Sequence, residues 1–440
     1  MVNWAPLIPP SHELAADAWE SIDAILRDVV EQRYLSKVLP WAPSPYEDAI
    51  LFSYMALGTS DPVWRPRCIH RLNKTIEHTA ARLATVSLFG GICGLGWTVE
   101  HISQIFNEHP VQYESPEEDP NEAVDAALIA RLLSPERSRH FDLIGGLVGQ
   151  GVYLLERWPS GRSEEGLRLL ISLLRELAEN PLGVSTWRTV PELIPDSERK
   201  LCPDGYYNLG VAHGVPGVVQ FLCQVAGTGI EAETVSCLLD RALAWLVAQS
   251  SSDKDRLRFK AWVTPTGKSA NARPVWCYGD LGIVAVLVQV AHRNRNGVLN
   301  VLISEMLETC LKLPPESYSV QDAGLCHGAA GVAHIYNRIY QRLGDQRFRD
   351  AALNWYRRLL KMFRSGTGIG GYSKYATTGP GGTAKWEAWP GLLDGSIGIA
   401  LALLAATTQV EPRWDRLFLL SSRVAEAPVD AAPEPAWSGA

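Results

Sequence analysis

Little in this 440-residue chain points to a covalent staple, a secretory signal or a membrane span. Its eight cysteines are scattered rather than dense, which excludes a small disulfide-held scaffold and predicts reduced thiols in a cytoplasmic protein. No uninterrupted apolar run approaches the roughly 20 residues that cross a bilayer, so no transmembrane segment is expected. The opening MVNWAPLIPPSHELAAD has no basic stretch leading into an apolar core, the mark of a signal peptide. Positive charge is in short supply too: 41 Lys and Arg against 48 Asp and Glu leave a formal net charge of −7. Without a basic excess to meet phosphates, nucleic acid is not an expected partner. Stretches alternating with period two are few, which argues against a β-rich fold. What remains is the balance of a globular protein, 46% hydrophobic and 20% charged.

What is present is a repeat of variable spacing. A Gly-x-x-Gly followed by an apolar run occurs as GICGLGWTV from Gly91, GLVGQGVYLL from Gly146, GVPGVVQFL from Gly214, GDLGIVAVLV from Gly279, GAAGVAHIY from Gly328 and GSIGIALALL from Gly395. The first glycines lie 55, 68, 65, 49 and 67 residues apart, and each interval has room for two helices and their loops. The runs after the glycines are apolar on nearly every side, as buried helices are. Amphipathic segments lie between them: Leu167, Leu170, Ile171, Leu174 and Leu177 recur at helical spacing, and Phe348, Ala352, Trp355, Leu359 and Phe363 share one broad face. Glycine inside a helix costs about 1 kcal/mol against alanine, so six such starts imply a repeated packing constraint. Inner helices that crowd at their ends, as in a closed ring, meet it. Ahead of Gly91 there is room for one more pair, HELAADAWESIDAILRDVVEQ with PYEDAILFSYMALG. The expected fold is all-α: an α/α toroid, a double ring of seven inner and seven outer helices, in one domain over residues 1–425. A disordered tail follows at 426–440. Segments 107–124, 250–274 and 364–390 are expected as surface loops, of the kind that shape a binding site at one end of a toroid.

The repeat gives distant residues a common register. Cys277 lies two residues before Gly279 and Cys326 two before Gly328; His327 lies one before Gly328 and His213 one before Gly214. Equivalent positions at the starts of inner helices ring the axis at one end of a toroid, so Cys277, Cys326, His327 and His213 are expected around one cavity. Cys326 and His327 are adjacent, without the Cys-x-x-Cys spacing of zinc fingers. At a loop-to-helix junction, however, neighbouring side chains can turn towards one point. Two thiolates and an imidazole select zinc, and three protein ligands leave one tetrahedral position open, the mark of a catalytic site. Such a site suits the binding and deprotonation of a substrate thiol. Cys68, Cys93, Cys202, Cys223, Cys237 and Cys310 sit in apolar or helical contexts and are expected as small core residues. His334 is expected to pack or to be partly exposed, and His12, His70, His78, His101, His109, His140 and His292 share no register with the ligands.

NLGVAHGVPG, RPVWCYGDLG and GLCHGAAGV resemble the three signature blocks of the lanthipeptide cyclases, the LanC family, and DLIGGLVG resembles a fourth. The resemblance covers roughly residues 12–425 and agrees with the toroid. It implies a zinc enzyme that closes thioether rings in a dehydrated precursor peptide, leader plus core, by adding Cys thiols to dehydroalanine and dehydrobutyrine. It implies Cys277, Cys326 and His327 as zinc ligands, His213 as the acid/base histidine, and Asp142 and Arg273 as active-site residues. Trp276 and Tyr278, which flank the cysteine, are expected to line the pocket. A separate dehydratase, and a transporter in a membrane-associated assembly, are the implied partners. Asp142 equally suits a helix N-cap, and Arg273 a solvated loop charge. The rival readings are a LanC-like glutathione transferase acting on dehydroamino acids, a prenyltransferase β-subunit, whose ligand pattern differs, and a non-enzymatic peptide-binding toroid with structural zinc.

Overall fold

The computed structural model describes residues 4–31, 46–79, 85–106, 119–137, 139–159, 161–194, 199–253, 256–294, 297–377 and 383–424. The tail expected at 426–440 and most of the acidic segment 107–124 lie outside the described residues. The chain divides into two compact units. One comprises Met1–Thr75 with Leu313–Arg413, the other Ile76–Lys312 with Trp414–Ala440.

In the larger unit, α4 (Ile92–Phe106), α6 (Leu147–Arg157), α8 (Val215–Ala226) and α10 (Asp280–Asn294) each begin directly after the first glycine of a repeat. They are buried along most of their length, and successive members touch: α4 with α6, α6 with α8, α8 with α10. Helices buried on one face back them: α5 (Glu122–Leu133) on α4, α7 (Ser163–Leu177) on α6, α9 (Ala232–Ala248) on α8 and α11 (Gly297–Lys312) on α10. The stripe foreseen on α7 faces inward, with Leu167, Leu170, Ile171 and Leu174 buried.

The smaller unit repeats the arrangement. There α12 (Ala329–Leu343) and α14 (Ser396–Thr407) follow Gly328 and Gly395. α12 packs on α14, and α14 on the buried helix α2 (Tyr46–Gly58). α13 (Gln346–Lys361) backs α12. α1 (Ala15–Val30), expected to pair with α2, instead backs α14. Two backbone-directed bonds fix that choice: Trp4 Nε1 donates to Ala405 O, and Ile8 N to Ala406 O, both at 2.8 Å. α3 (Trp64–Thr79) takes the place beside α2, through the Arg71–Asp48 ion pair at 3.0 Å and the Phe52–Trp64 ring contact.

The glycines do have a packing reason, but the neighbour is the incoming loop rather than another helix. A methyl group on Gly149, Gly217, Gly282, Gly331 or Gly398 would collide with the carbonyl oxygen six residues upstream in its own chain. Each loop therefore folds back over the first turn of its helix, and only glycine leaves room. Gly279 adds a positive φ of 85° to the same crowding, a conformation that disfavours every residue with a Cβ.

The sheets are small. β1 (Tyr207–Asn208), β2 (Trp262–Val263) and β3 (Ser269–Ala270) form an antiparallel ribbon, with Tyr207 opposite Val263 and Trp262 opposite Ala270. β4 (Lys374–Thr377) pairs with β5 (Ala384–Glu387). The segments 250–274 and 364–390, expected as plain loops, thus carry hairpins. Of the six cysteines expected in the core, Cys237 is exposed and the other five are buried. It lies on outer helix α9, off the buried face set by Val235, Leu238, Leu239 and Ala242. His334 is fully buried on α12.

Candidate functional site

In the larger unit, the loops that precede α6, α8 and α10 meet. The Leu143 amide donates to Ala212 O at 3.1 Å, tying the α6 loop to the α8 loop. Asp142 and His213 are thereby set face to face, with His213 Nδ1 2.7 Å from Asp142 Oδ2. The other carboxylate oxygen accepts the Gly145 amide at 3.0 Å, so the N-cap-like role and the pairing with His213 coexist in one side chain. Burial alone would push the Asp142 carboxyl up. The hydrogen bond and charge of His213, the Gly145 amide and the charge of His140 outweigh it and hold the group below its ordinary value. An ionised carboxylate only accepts, so Nδ1 donates and Nε2 is the nitrogen left for other chemistry. The His213 side chain is 43% exposed, open to a large substrate.

The α10 loop closes this corner. Gly210 has no side chain where the Cys277 carbonyl passes. Asn208 accepts the Gly210 amide at 2.8 Å and donates to Tyr278 Oη at 3.2 Å. The Tyr278 ring lies 6.4 Å from that of His213. The result is a cavity of about 260 Å³ lined by Asp142, His213, Tyr278, Tyr206, Asn208 and His140, among others. Trp276, expected beside Tyr278 in the pocket, points the other way. It is buried, donates to Phe418 O at 2.9 Å and stacks edge-on against that ring. Residues two apart share a face in an extended strand, but 274–279 is a run of bends, so the two aromatics that flank the cysteine diverge. Cys277 itself is buried. Arg273 is half-buried, and its carbonyl accepts the Val275 amide at 2.9 Å, forming the turn into Cys277; it is not in the wall of this cavity. Tyr206, Asn208 and His140 are lining residues that the repeat register did not single out. The signal available for Asn208 was its place in the NLGVAHG block.

In the smaller unit, the loop that enters α12 carries Cys326 and His327, both partly exposed. Asp322 shapes it by accepting the Gly324 amide at 3.1 Å and the Tyr375 amide at 2.9 Å. The Cys326 amide donates to Leu393 O at 2.8 Å, joining this loop to the one that enters α14. On that second loop, Asp394 pairs with Lys374 at 2.8 Å and lies 4.0 Å from His327 Nδ1. Beneath it the Leu392 amide donates to Glu47 Oε2 at 2.8 Å.

Burial pushes the Glu47 carboxyl up to about 8; the Leu392 amide opposes this, and the charges of Asp48 and Asp394 add to it. The folded state therefore holds a proton that the unfolded chain, with the ordinary value of 4.5, has already lost. The sign follows: the contribution of Glu47 to stability is complete below about pH 4.5 and is lost as the pH rises towards about 8. Glu47→Gln, a neutral isostere, is expected to remove up to about 1 kcal/mol per pH unit from the slope of stability over that window. Urea midpoints at pH 6 and pH 8.5 measure it, and parallel curves for the two proteins would refute the assignment.

All eight cysteines stand as thiols. Among the described residues, no helix is long and apolar enough to cross a membrane. A model of the lanthionine synthetase C-like protein family matches residues 49–419. The chain is 22% identical over 299 residues to the nisin biosynthesis protein NisC of Lactococcus lactis subsp. lactis, a match that spans 63% of this chain and 69% of that one. Its structure is similar to that of a nisin cyclase, with a TM-score of 0.69 and 18% identity over 91% of this chain and 97% of the other. At that identity the likeness shows the fold, and the fold is the α/α toroid that the glycine repeat predicted.

Proposed function

Because the chain belongs to the lanthionine synthetase C-like family, we propose that it is a zinc-dependent lanthipeptide cyclase, one cyclase domain over residues 1–425. Its substrate is a dehydrated precursor peptide, and its product carries lanthionine or methyllanthionine thioether rings. The observation that carries this reading is the family match over 49–419, which contains every candidate site residue.

Cys277, Cys326 and His327 would hold the zinc. The donor set fits: two soft thiolates and an imidazole are zinc ligands, and three of them leave a coordination position for substrate. Bound there, zinc supplies acidification of the substrate's cysteine thiol near neutral pH.

The rest falls to this chain's own side chains. The substrate sulfur forms a bond to the β-carbon of the dehydro residue, and the alkene's electron pair moves towards the α-carbon and its amide oxygen. The family resemblance offers Arg273 as the cation that would meet that negative charge. The α-carbon then takes a proton, and His213 delivers it from Nε2. Asp142 holds the His213 ring in the tautomer and orientation this requires, as a charged partner throughout the neutral range. Tyr278 and Tyr206 give the cavity apolar walls against which a peptide can lie.

A separate dehydratase must supply the dehydroamino acids. We place the protein in the cytoplasm, where a transporter would take the ringed product from a membrane-associated assembly. The test is incubation of the purified protein with a dehydrated, cysteine-containing precursor, followed by thiol alkylation. Cyclisation leaves the mass of the dehydrated peptide unchanged, whereas each closed ring removes one alkylatable thiol. A precursor that stays fully alkylatable would sink the reading, and conjugation of added glutathione in its place would reassign the enzyme.

A further inference from the structure

We propose that Asp394 is a positioning residue for His327: its Oδ1 faces the Nδ1–H of the imidazole, keeps the proton on that nitrogen and so commits Nε2 to the metal. The inference rests on the reading of His327 as a zinc ligand and deepens it.

Register comes first. Asp394 lies one residue before Gly395, as His327 lies one before Gly328 and His213 one before Gly214. In this repeat, that position turns a side chain out at a helix start, and the two histidines of the proposed chemistry already occupy it. Geometry comes second. The backbone of Asp394 is held against the ligand loop from two directions. The Cys326 amide donates to Leu393 O at 2.8 Å, and Gly324 has no side chain where the Asp394 carbonyl packs, since a methyl there would come within 3.1 Å of that oxygen.

The two carboxylate oxygens are treated differently. Oδ2 accepts from Lys374 Nζ at 2.8 Å, and the ammonium lies 5.1 Å from the Trp389 ring centre. Oδ1 is buried and has no hydrogen-bond partner. A buried carboxylate oxygen left without a donor is costly, and His327 Nδ1 is 4.0 Å away. That separation is an ion-pair distance rather than a hydrogen bond. A carboxylate beyond the ligand nitrogen fixes the imidazole tautomer, orients the ring and raises its basicity. Lys374 keeps this carboxylate in place from its far side.

The experiment compares zinc affinity, by competition with a chromophoric chelator, in the wild-type protein, Asp394→Asn, Asp394→Glu and Lys374→Met, each checked for native circular dichroism. Asp394→Asn is expected to weaken zinc binding by about 10–100-fold and to shift the visible absorption of the cobalt-substituted protein. Asp394→Glu, which keeps the charge, should recover part of the loss, and Lys374→Met should cost much less than Asp394→Asn. Equal losses in Asp394→Asn and Lys374→Met would mean that Asp394 serves only the ion pair, and would overturn the proposal. So would unchanged affinity in Asp394→Asn, while leaving the zinc reading intact. A wild-type protein that binds no zinc would overturn both. If Asp394→Asn does not fold, the order of Asp394→Glu and Lys374→Met decides: the proposal fails if Lys374→Met is the weaker binder.

Discussion

Cys326→Ala is expected to lower bound zinc towards zero and to bring ring closure down to the uncatalysed rate. The argument is one of coordination number. Three protein ligands would hold an ion with one position open, and removing a thiolate would leave a thiolate and an imidazole, too few to retain zinc against water and buffer. The fold should survive, because Cys326 is partly exposed and its loop is held by backbone bonds, from its own amide to Leu393 O and from Gly324 to Asp322. Alanine keeps both. Metal analysis of the purified variant, a thermal melt and the alkylation assay form the test. Stoichiometric zinc in a folded Cys326→Ala protein would remove that sulfur from the site, and full activity without zinc would remove the metal from the mechanism.

His213→Asn is expected to separate the two functions. Zinc content should match the wild type, since His213 is not in the proposed ligand set. Cyclisation should fall by about 10²–10⁴-fold, the range ascribed to a positioned acid or base. Asparagine can still meet the Asp142 carboxylate but has no second ring nitrogen to hand over a proton. The electrostatics add a check at low pH. The Asp142 carboxyl is held below its ordinary value by its partners, so its support for the histidine is complete above the ordinary carboxylate range and is lost as the pH falls through the lowered value. A loss of rate on acidification that acts through protonation of Asp142 should therefore be absent in His213→Asn, where no imidazole remains to be held. If His213→Asn closes rings at the wild-type rate, His213 has no part in proton transfer.

Much of this was legible in the chain because glycine reports backbone geometry locally. All six Gly-x-x-Gly motifs mark helix starts, and the reason lies within a few residues: each loop crosses its own helix's first turn too closely for a Cβ. A constraint confined to about six residues leaves its trace in those residues. The same register put His213 at the mouth of α8 and Cys277, Cys326 and His327 just ahead of α10 and α12. It also passes through Asp394, but aspartate before a helix has an ordinary reading as a cap, and nothing local says that one of its oxygens lacks a hydrogen-bond partner.

Other features were settled only by contacts between residues far apart in the chain. That α1 backs α14 rather than α2 depends on bonds from Trp4 and Ile8 to carbonyls some 400 residues on, and an amphipathic stripe says that a helix is covered without saying by what. Trp276 and Tyr278 differ by two positions, yet one anchors on Phe418 and the other faces His213. From its own residues the sequence determined an all-α repeat, where its helices begin and which side chains stand at their mouths, because backbone sterics and helical periodicity are local. Tertiary structure alone decided which outer helix covers which inner one, which aromatic enters the cavity, and that Asp142 meets His213. Each of those depends on surfaces that exist only once distant segments are packed.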